Sequence, residues 1–537
     1  MRLILPFASA YSAIRGHLSR SMSSVHNTDD STIRGFLREV YQKSKPRNVM
    51  SVFVTGGGCT SLEWLFTVPG ASRCLMDGGV VYSRSALDAF LRSDEHTSAS
   101  SCSAGIALTM ADASWRHASE YLLAESRDFN DLRDSLIFGV SCSASLQSDV
   151  PKKGPHRVYV ASTIQGKSDV YTLELNKGQR SRVDEDTVCS RLILEAIAST
   201  TGVKPLVTDY LTVNDNGNTT QQHVESIAKN TIFRDDVFER IYRKEVHQAI
   251  FVKKNEQDRL PSGDDFDIHE HFVILEDAKL PKGSLVFPGS FNPLHEGHVA
   301  LVVAALRKLS TSAVAHHNDN CTSGGSPSSS QKTASFMPAS DSWKNIPVVF
   351  EIAAVNADKP PIPRDEIIRR VMQFDPFVNE ALLAAGLTNV AVCVTSEPLF
   401  LQKSKLFRDC NFLIGSDTMA RIINPKYYYA EPAEEGQSDL TVEGKVKKAQ
   451  HLEEQRAYAM VSALSTIVER GCTFVVGGRT ANLAGAVDEA ETFQTLESIC
   501  EASAVNLPYT LLSTLFQGLS EEEFRVDLSS TQLRNKG

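Results

Sequence analysis

Short, almost uninterrupted apolar segments follow one another through the second half of the chain, and they constrain its fold more than any other feature. They lie at 284–287, 347–355, 389–395, 411–415 and 473–477. Helical patterns separate several of them, as at 297–309 and 364–374. A strand with apolar residues on both faces is buried on both faces, which is typical of a parallel sheet covered by helices. The sequence therefore predicts an α/β fold with a doubly wound parallel sheet.

The first half of the chain also alternates strand and helix patterns. Strand-like runs at 51–54 and 156–164 and helix-like runs at 106–125 and 190–200 indicate a separate α/β unit. The predicted organisation is a first domain over 31–200, a connecting region over 201–280 and a second domain over 281–537. Within the connecting region, 223–251 is predicted to be helical.

Two segments differ in composition from these domains. The first 28 residues contain three arginines and no acidic residue, so residues 1–30 resemble an organellar targeting peptide, the alternative being an untargeted terminus. Residues 311–342 are rich in Ser, Thr, Gly and Pro and are predicted to be a disordered insertion.

Charge and cysteine content narrow the class of protein. A formal net charge of −10 gives no overall basic footprint for nucleic acid, and no apolar run is long enough to span a membrane. The ten cysteines form no C-x-x-C pair, which favours reduced thiols and an intracellular location. That location is mitochondrial or otherwise organellar if the targeting peptide is real, and cytoplasmic if it is not.

The stretch "GSFNPLHEGH" (289–298) follows the strand at 284–287 and carries the clearest chemical motif. The helix is predicted to begin near His295, so His295 and His298 share its first turn. Unpaired N–H groups and the helix dipole make this place suitable for an anion. Gly289 lets the backbone approach a ligand closely, and Gly297 keeps the turn open between the histidines.

A second motif, "LSSTQLR" (528–534), places two hydroxyls and an arginine at helical spacing. Ser530 and Thr531 can cap a helix and bind phosphate oxygens, and Arg534 can bind the same oxygens as a fork. An ordinary surface helix cap is the alternative for this segment.

Together with "GSDT" (415–418), these motifs resemble the nucleotidylyltransferase superfamily with the H-x-G-H signature, and most closely its nicotinamide and nicotinate mononucleotide adenylyltransferases. The resemblance implies a Rossmann-like domain that transfers AMP from ATP to a pyridine mononucleotide and releases pyrophosphate, a step of NAD biosynthesis. Two alternatives stay open. One is a cytidylyltransferase or another adenylyltransferase of the same superfamily, and the other is a non-catalytic nucleotide sensor or scaffold.

The resemblance also implies roles for individual residues. The implied catalytic residues are His295, His298 and Arg534; the implied nucleotide-binding residues are Gly289, Ser290, Phe291, Gly297, Gly415, Asp417, Ser530 and Thr531; the implied substrate-binding residues are Asn356, Lys359 and Arg479. Mg²⁺ would accompany ATP, bound mainly by phosphates and water, so no dedicated protein metal site is expected. The expected partners are ATP and a small phosphorylated mononucleotide, with homo-oligomerisation left open.

In the first domain, "VTGGGCTSLEWLFTVPGASRCLMDGGVVYSRSAL" (54–87) resembles the C-terminal domain of the CinA family, which in bacteria houses nicotinamide-mononucleotide deamidase activity. The family's serine and lysine fall on Gly58 and Leu87, which provide neither a nucleophile nor a base. An inactive CinA-like α/β domain is therefore expected. Two alternatives remain: Cys59 as a replacement nucleophile, and a phosphate bound at the glycine turn 56–58.

Overall fold

A computed structural model gives the fold of most of the chain. The residues it describes are 30–92, 102–204, 225–254, 268–319, 342–355, 360–375, 379–428, 442–478, 480–481, 492–502 and 507–525. They form two compact units: unit 1 comprises the residues up to Leu122 together with Asp134–Arg234, and unit 2 comprises Leu123–Arg133 together with the residues from Asp235 onward.

Up to residue 234 the chain alternates helices and strands. In order they are α1 (30–42), β1 (Arg47–Thr55), α2 (Cys59–Thr67), β2 (Leu75–Val80), α3 (Arg84–Leu91), α4 (Ala104–Ser126), α5 (Phe129–Arg133), β3 (Ser135–Ser145), β4 (His156–Ile164), β5 (Lys167–Leu175), α6 (Arg182–Thr201) and β6 (Ala228–Phe233).

From residue 235 the elements are α7 (Val237–Tyr242), β7 (Gln248–Lys253), α8 (Ile268–His271), β8 (Phe272–Glu276), β9 (Leu285–Pro288), α9 (Glu296–Asp319), β10 (Val348–Ala353), α10 (Arg364–Val371), α11 (Glu380–Ala385), β11 (Val390–Thr395), α12 (Phe400–Leu406), β12 (Asn411–Gly415), α13 (Ser416–Ile422), α14 (Val442–Glu469), β13 (Thr473–Gly477), β14 (Thr480–Ala481), β15 (Thr492–Phe493), α15 (Leu496–Ala502), α16 (Tyr509–Leu515) and β16 (Phe516–Gly518). Short 3₁₀ turns lie at Ala71–Arg73, Ser342–Asn345, Met372–Phe374 and Pro425–Tyr427.

Unit 1 contains a six-stranded sheet in the order β2-β1-β3-β4-β5-β6. β1 runs parallel to both of its neighbours, and the strands from β3 to β6 are antiparallel. β1 is almost entirely buried, because its apolar residues face the core on both sides of the sheet. α2 and α6 pack against each other.

Unit 2 contains an eight-stranded sheet in the order β16-β13-β12-β9-β10-β11-β7-β8. The six strands from β16 to β11 are parallel, and β7 and β8 extend the sheet antiparallel. The chain leads from β9 through β10 to β11 on one side, then returns to β12 on the other side of β9. This reversal is the topological switch point of a doubly wound sheet, so the predicted α/β class is confirmed.

The predicted connecting region, 201–280, is divided between the two units. Its segment 223–251, predicted to be helical, instead contains β6, the short helix α7 and most of β7. β6 is an edge strand of unit 1, and β7 and β8 are strands of unit 2. The helical prediction was wrong because pairing with a neighbouring strand decides the backbone conformation of such short segments.

The segment predicted to be a disordered insertion, 311–342, includes the end of a helix. α9 continues to Asp319, so the first nine residues of that segment are helical. The residues from 320 to 341 lie outside the described residues. Among the residues described, no helix combines the length and the apolar character needed to cross a bilayer.

Candidate functional site

The candidate site lies at the carboxyl end of β9, at the switch point of the unit 2 sheet. A loop of residues 289–295, called here the histidine loop, joins β9 to α9. On the other side of the switch point, β12 pairs with β9 in parallel and ends at Gly415. Ligands of doubly wound sheets bind in the crevice outside the carboxyl ends of the strands at such a point.

His295 and His298 lie together at the start of α9, as predicted. Their rings stack with centroids 3.7 Å apart and an angle of 26° between the ring planes. The backbone N–H of His295 donates to Nδ1 of His298 at 3.3 Å, and the N–H of His298 donates to the carbonyl oxygen of His295 at 2.9 Å. His298 therefore acts as one half of a capping box, in which a side chain in the first turn accepts from the N-cap backbone.

This hydrogen bond defines which nitrogen of His298 carries the proton. Because Nδ1 accepts, the proton of the neutral ring lies on Nε2, which leaves Nε2 as a donor. Burial lowers the pKa of His298 to about 3, and His295 contributes to the shift. Burial also lowers the pKa of His295. Both rings are therefore neutral near pH 7 in the free protein.

Phe291 and Gly289 lie close together in the histidine loop. The Phe291 side chain is buried, and its ring packs edge-on against His298, Phe350 and Phe374. A Cβ on Gly289 would lie 2.6 Å from the Phe291 ring, so the glycine makes room for that ring. The Phe291 ring therefore packs against His298, and the predicted nucleotide-binding roles of Phe291 and Gly289 stay predictions.

The backbone of Phe291 is strained. Its φ is 42°, a left-handed conformation that a bulky side chain rarely adopts. Strain of this kind persists only where the surrounding structure enforces it, and it is common at ligand-binding loops. The buried ring of Phe291 provides that enforcement here. Ser290, next to it, is exposed, and Gly297 is buried in the first turn of α9.

Helix α10 holds the histidine loop, a function that no sequence pattern indicated. Arg370 donates to the carbonyl oxygen of Ser290 at 3.2 Å, and Arg369 donates to Oδ1 of Asn292 at 2.6 Å. Glu366 accepts from both arginines at 2.7 Å, and these bonds lower its pKa to about 2. Polar residues at this spacing are typical of a solvent-exposed helix face. Only the tertiary structure shows that they contact the histidine loop.

On the other side of the switch point, the junction of β12 and α13 contains Gly415, Ser416 and Asp417. Gly415 is the N-cap residue of α13, and a Cβ there would meet open space. Asp417 is exposed in the first turn. Ser416 is buried, and among the described residues its hydroxyl finds no hydrogen-bond partner. Buried hydroxyls are rarely left in that state, so the start of α13 can accept a hydrogen bond from, or donate one to, a polar ligand or a water.

The remaining predicted site residues lie outside the described residues: they are Asn356, Lys359, Arg479, Ser530, Thr531 and Arg534. Their predicted roles stay predictions. Within the described part of the chain, no group of three or more His, Cys, Asp or Glu side chains could hold a metal ion.

In unit 1, the glycine turn is occupied by a side chain of the protein itself. The carboxylate of Asp186, on α6, accepts from the backbone N–H groups of Gly58, Cys59 and Thr60 at 2.7, 3.1 and 3.0 Å. The Thr60 hydroxyl donates to the same carboxylate at 2.8 Å. The groups at the start of α2 that could bind a phosphate are thus already satisfied, which contradicts the alternative of an open phosphate site.

The two positions that replace the CinA catalytic residues are structural. Gly58 has a φ of 89°, and a Cβ there would lie 2.8 Å from Cδ1 of Ile193. Leu87 is buried in a small apolar cluster with Phe53 and Phe90. Burial raises the pKa of the Cys59 thiol, and the Asp186 carboxylate raises it further. A thiol with a raised pKa is a poor nucleophile at neutral pH.

Solved structures that resemble part of this chain include two of competence-damage proteins. The crystal structure of the competence/damage inducible protein CihA from Agrobacterium tumefaciens matches 31% of this chain and 94% of its own chain, with 19% identity and a TM-score of 0.25. A competence-damaged protein (CinA) superfamily protein from Escherichia coli matches 31% of this chain and 88% of its own, with 12% identity and a TM-score of 0.25. No family model matches the chain, and no curated protein sequence matches it. These comparisons do not assign the chain to a family.

Proposed function

We infer that this chain is a nucleotidylyltransferase that transfers AMP from ATP to nicotinamide or nicotinate mononucleotide and releases pyrophosphate. One observation carries the proposal: two stacked, neutral histidines lie in the first turn of a long helix at the switch point of a doubly wound sheet. Helix N-termini at this location bind phosphate groups through unpaired N–H groups and the helix dipole.

The histidines provide donors where phosphate charge develops. In the proposed reaction, a phosphate oxygen of the mononucleotide attacks the α-phosphorus of ATP, and the bond from that phosphorus to pyrophosphate breaks. Nε2 of His298 donates a hydrogen bond to an oxygen whose charge increases in the transition state. Because burial lowers its pKa, the ring is neutral before the triphosphate arrives.

Magnesium fits this proposal as a companion of ATP. The described residues contain no cluster of metal-binding side chains, so phosphate and water oxygens would provide most of its ligands. When bound, the ion would offset charge on the triphosphate. The roles of Ser530, Thr531 and Arg534 at the β- and γ-phosphates, and of Asn356, Lys359 and Arg479 at the mononucleotide, are part of the proposal. So is the role of Asp417 at the nucleotide sugar.

For unit 1, the proposal is a CinA-like domain without deamidase activity. The raised pKa of Cys59, the core position of Leu87 and the left-handed backbone of Gly58, which a serine would strain, support it. Restoring the family's serine at position 58 would place a Cβ against Ile193, so Gly58→Ser alone should not create a deamidase.

The test is pyrophosphate release from the full-length protein with ATP, Mg²⁺ and each mononucleotide in turn, with CTP as the competing nucleotide. His298→Ala should lower kcat at least ~100-fold, because a donor to the transition state is lost. His298→Glu should be equally inactive, since its carboxylate repels phosphate, yet it should stay folded because Glu at this position preserves the capping box.

His247→Ala is the matched control, because His247 is an exposed histidine in the same unit that pairs with Glu397. It should retain full activity. Turnover close to that of the unaltered protein in both His298 variants would contradict the proposal. Activity with CTP but not ATP would instead favour a cytidylyltransferase.

A further inference from the structure

Gln373 lies in the 3₁₀ turn that continues α10, and its side chain contacts the histidine loop. Its side-chain Nε2 donates to the carbonyl oxygen of Phe291 at 3.1 Å. Its Oε1 accepts from the backbone N–H of Leu294 at 2.8 Å. One amide therefore bridges two backbone groups three residues apart, in the part of the loop that leads directly into His295.

Gln373 ends a row of polar residues on one side of α10. Glu366, Arg369 and Arg370 precede it at spacings of seven, four and three, so all four share a helix face. Ile367, Val371 and Phe374 occupy a second, buried face. The polar face contacts the loop, and the apolar face fixes α10 in the core, so the loop is attached to a rigid element.

The four residues do not contribute in the same way. Arg369 and Arg370 are held chiefly by Glu366, and Arg369 is about half exposed, so water can replace its bond to Asn292. Arg370 makes one bond to the loop backbone, whereas the partly buried Gln373 makes two, one as donor and one as acceptor. None of the other three residues pairs with both an N–H donor and a carbonyl acceptor of the loop backbone.

We propose that Gln373 is the positioning residue of the proposed transferase, and that its amide sets where His295 and His298 meet the triphosphate. This proposal rests on the proposed function. The mechanism is indirect: Gln373 fixes Leu294, the next residue is the N-cap His295, and His298 accepts from the His295 N–H. A displacement of about 1 Å in such a chain of contacts can lower a rate ~100-fold.

The test compares Gln373→Met, which has a similar length but no amide, with Gln373→Glu, which keeps an acceptor for the Leu294 N–H. In the full-length protein, Gln373→Met should lower kcat at least ~10-fold with little change in KM, since positioning acts on the transition state. Gln373→Glu should recover part of that loss. The matched control is Gln402→Met, because Gln402 also accepts from a backbone N–H, that of Leu399, at the start of α12.

A second readout does not depend on catalysis. The rate at which diethyl pyrocarbonate modifies His298, measured by mass spectrometry relative to the exposed His247 of the same chain, reports how well the loop is held. Gln373→Met should raise this ratio at least ~3-fold through local opening, and Gln402→Met should leave it unchanged.

The outcomes separate the two proposals. If the unaltered protein releases no pyrophosphate with any mononucleotide, the proposed function fails, and the modification ratio alone decides whether Gln373 positions the loop. An unchanged ratio in both Gln373 variants would overturn the positioning role, whatever their activity. If Gln373→Met does not fold, Gln373→Glu provides the same two measurements, and full activity with an unchanged ratio in that variant would overturn it too.

Discussion

Asp186 decides what the glycine turn of unit 1 can bind. Three backbone N–H groups at the start of a helix form an anion site, and in this chain the anion is a carboxylate of the protein. An internal carboxylate binds without loss of translational freedom, so a free phosphate in solution cannot readily displace it. The Asp186 carboxylate therefore links α6 to the start of α2, and the turn is not an open anion site.

Removing this carboxylate should reopen the turn. We expect Asp186→Ala to lower the free energy of unfolding by about 1–3 kcal/mol, because four donors lose their acceptor. Millimolar phosphate should then stabilise the Asp186→Ala protein more than the unaltered protein, as measured by urea unfolding with and without phosphate.

The matched control for that experiment is Asp184→Ala. Asp184 caps α6 by accepting from Ser181, so its loss removes a helix cap without exposing the α2 N-terminus. Phosphate should affect Asp184→Ala no more than the unaltered protein. The same phosphate effect on all three proteins would show that the turn is not an anion site.

At the scale of elements, a buried ion pair fastens α12 to the unit 2 sheet. Glu351, in β10, is fully buried and contacts Nζ of Lys403, in α12, at 2.6 Å. The hydroxyl of Thr395, in β11, donates to the other oxygen of the same carboxylate at 2.5 Å. Because the charge is inside the fold, each partner depends on the other to offset desolvation.

Breaking this pair from one side should be more harmful than removing both charges. Lys403→Met should cost about 3–5 kcal/mol of stability, because it leaves an uncompensated carboxylate in the core. The double variant Glu351→Gln with Lys403→Met should recover most of that loss, since Gln can still accept from Thr395. The measurement is the midpoint and slope of urea unfolding. A double variant no more stable than Lys403→Met would contradict this explanation.

At the scale of the whole molecule, unit 2 is not a continuous stretch of sequence. β7 and β8 complete its sheet next to β11, and α5, from a distant part of the chain, packs against β7. Phe129 and Leu132 of α5 are fully buried. Arg133 donates to the carbonyl oxygen of Lys253 at 2.6 Å. The domain therefore begins well before residue 281.

Fragments of unit 2 should fold only when these elements are present. Residues 281–537 alone leave β11 as an unpaired apolar edge, so we expect this fragment to aggregate. Residues 123–133 joined by a Gly/Ser linker to 235–537 should be monodisperse and should unfold cooperatively. Size-exclusion chromatography and thermal unfolding compare the two. A soluble, cooperatively folded 281–537 fragment would show that β7, β8 and α5 are dispensable.

Local sequence patterns determined the elements that are buried on both faces. β9 to β13 are short apolar runs in a part of the chain that alternates with helices, and burial of such runs allows few arrangements other than a parallel sheet. The position of His295 and His298 in the first turn of α9 followed for the same reason, because the strand ends where its apolar run ends. β6 and β7 were missed, since their conformation depends on strands distant in the sequence.

The sequence by itself therefore determined the α/β class and the location of the histidine pair, both of which depend on contacts between neighbours along the chain. Only the tertiary structure decided that Asp186 fills the glycine turn, that Phe291 lies under the histidines, and that Gln373 holds the loop above it. Asp186 and Gln373 act across separations of 128 and 79 residues. A polar side chain in a helix has the same sequence pattern whether it faces water or the backbone of a residue distant in sequence. Only the tertiary structure determines which of the two it contacts.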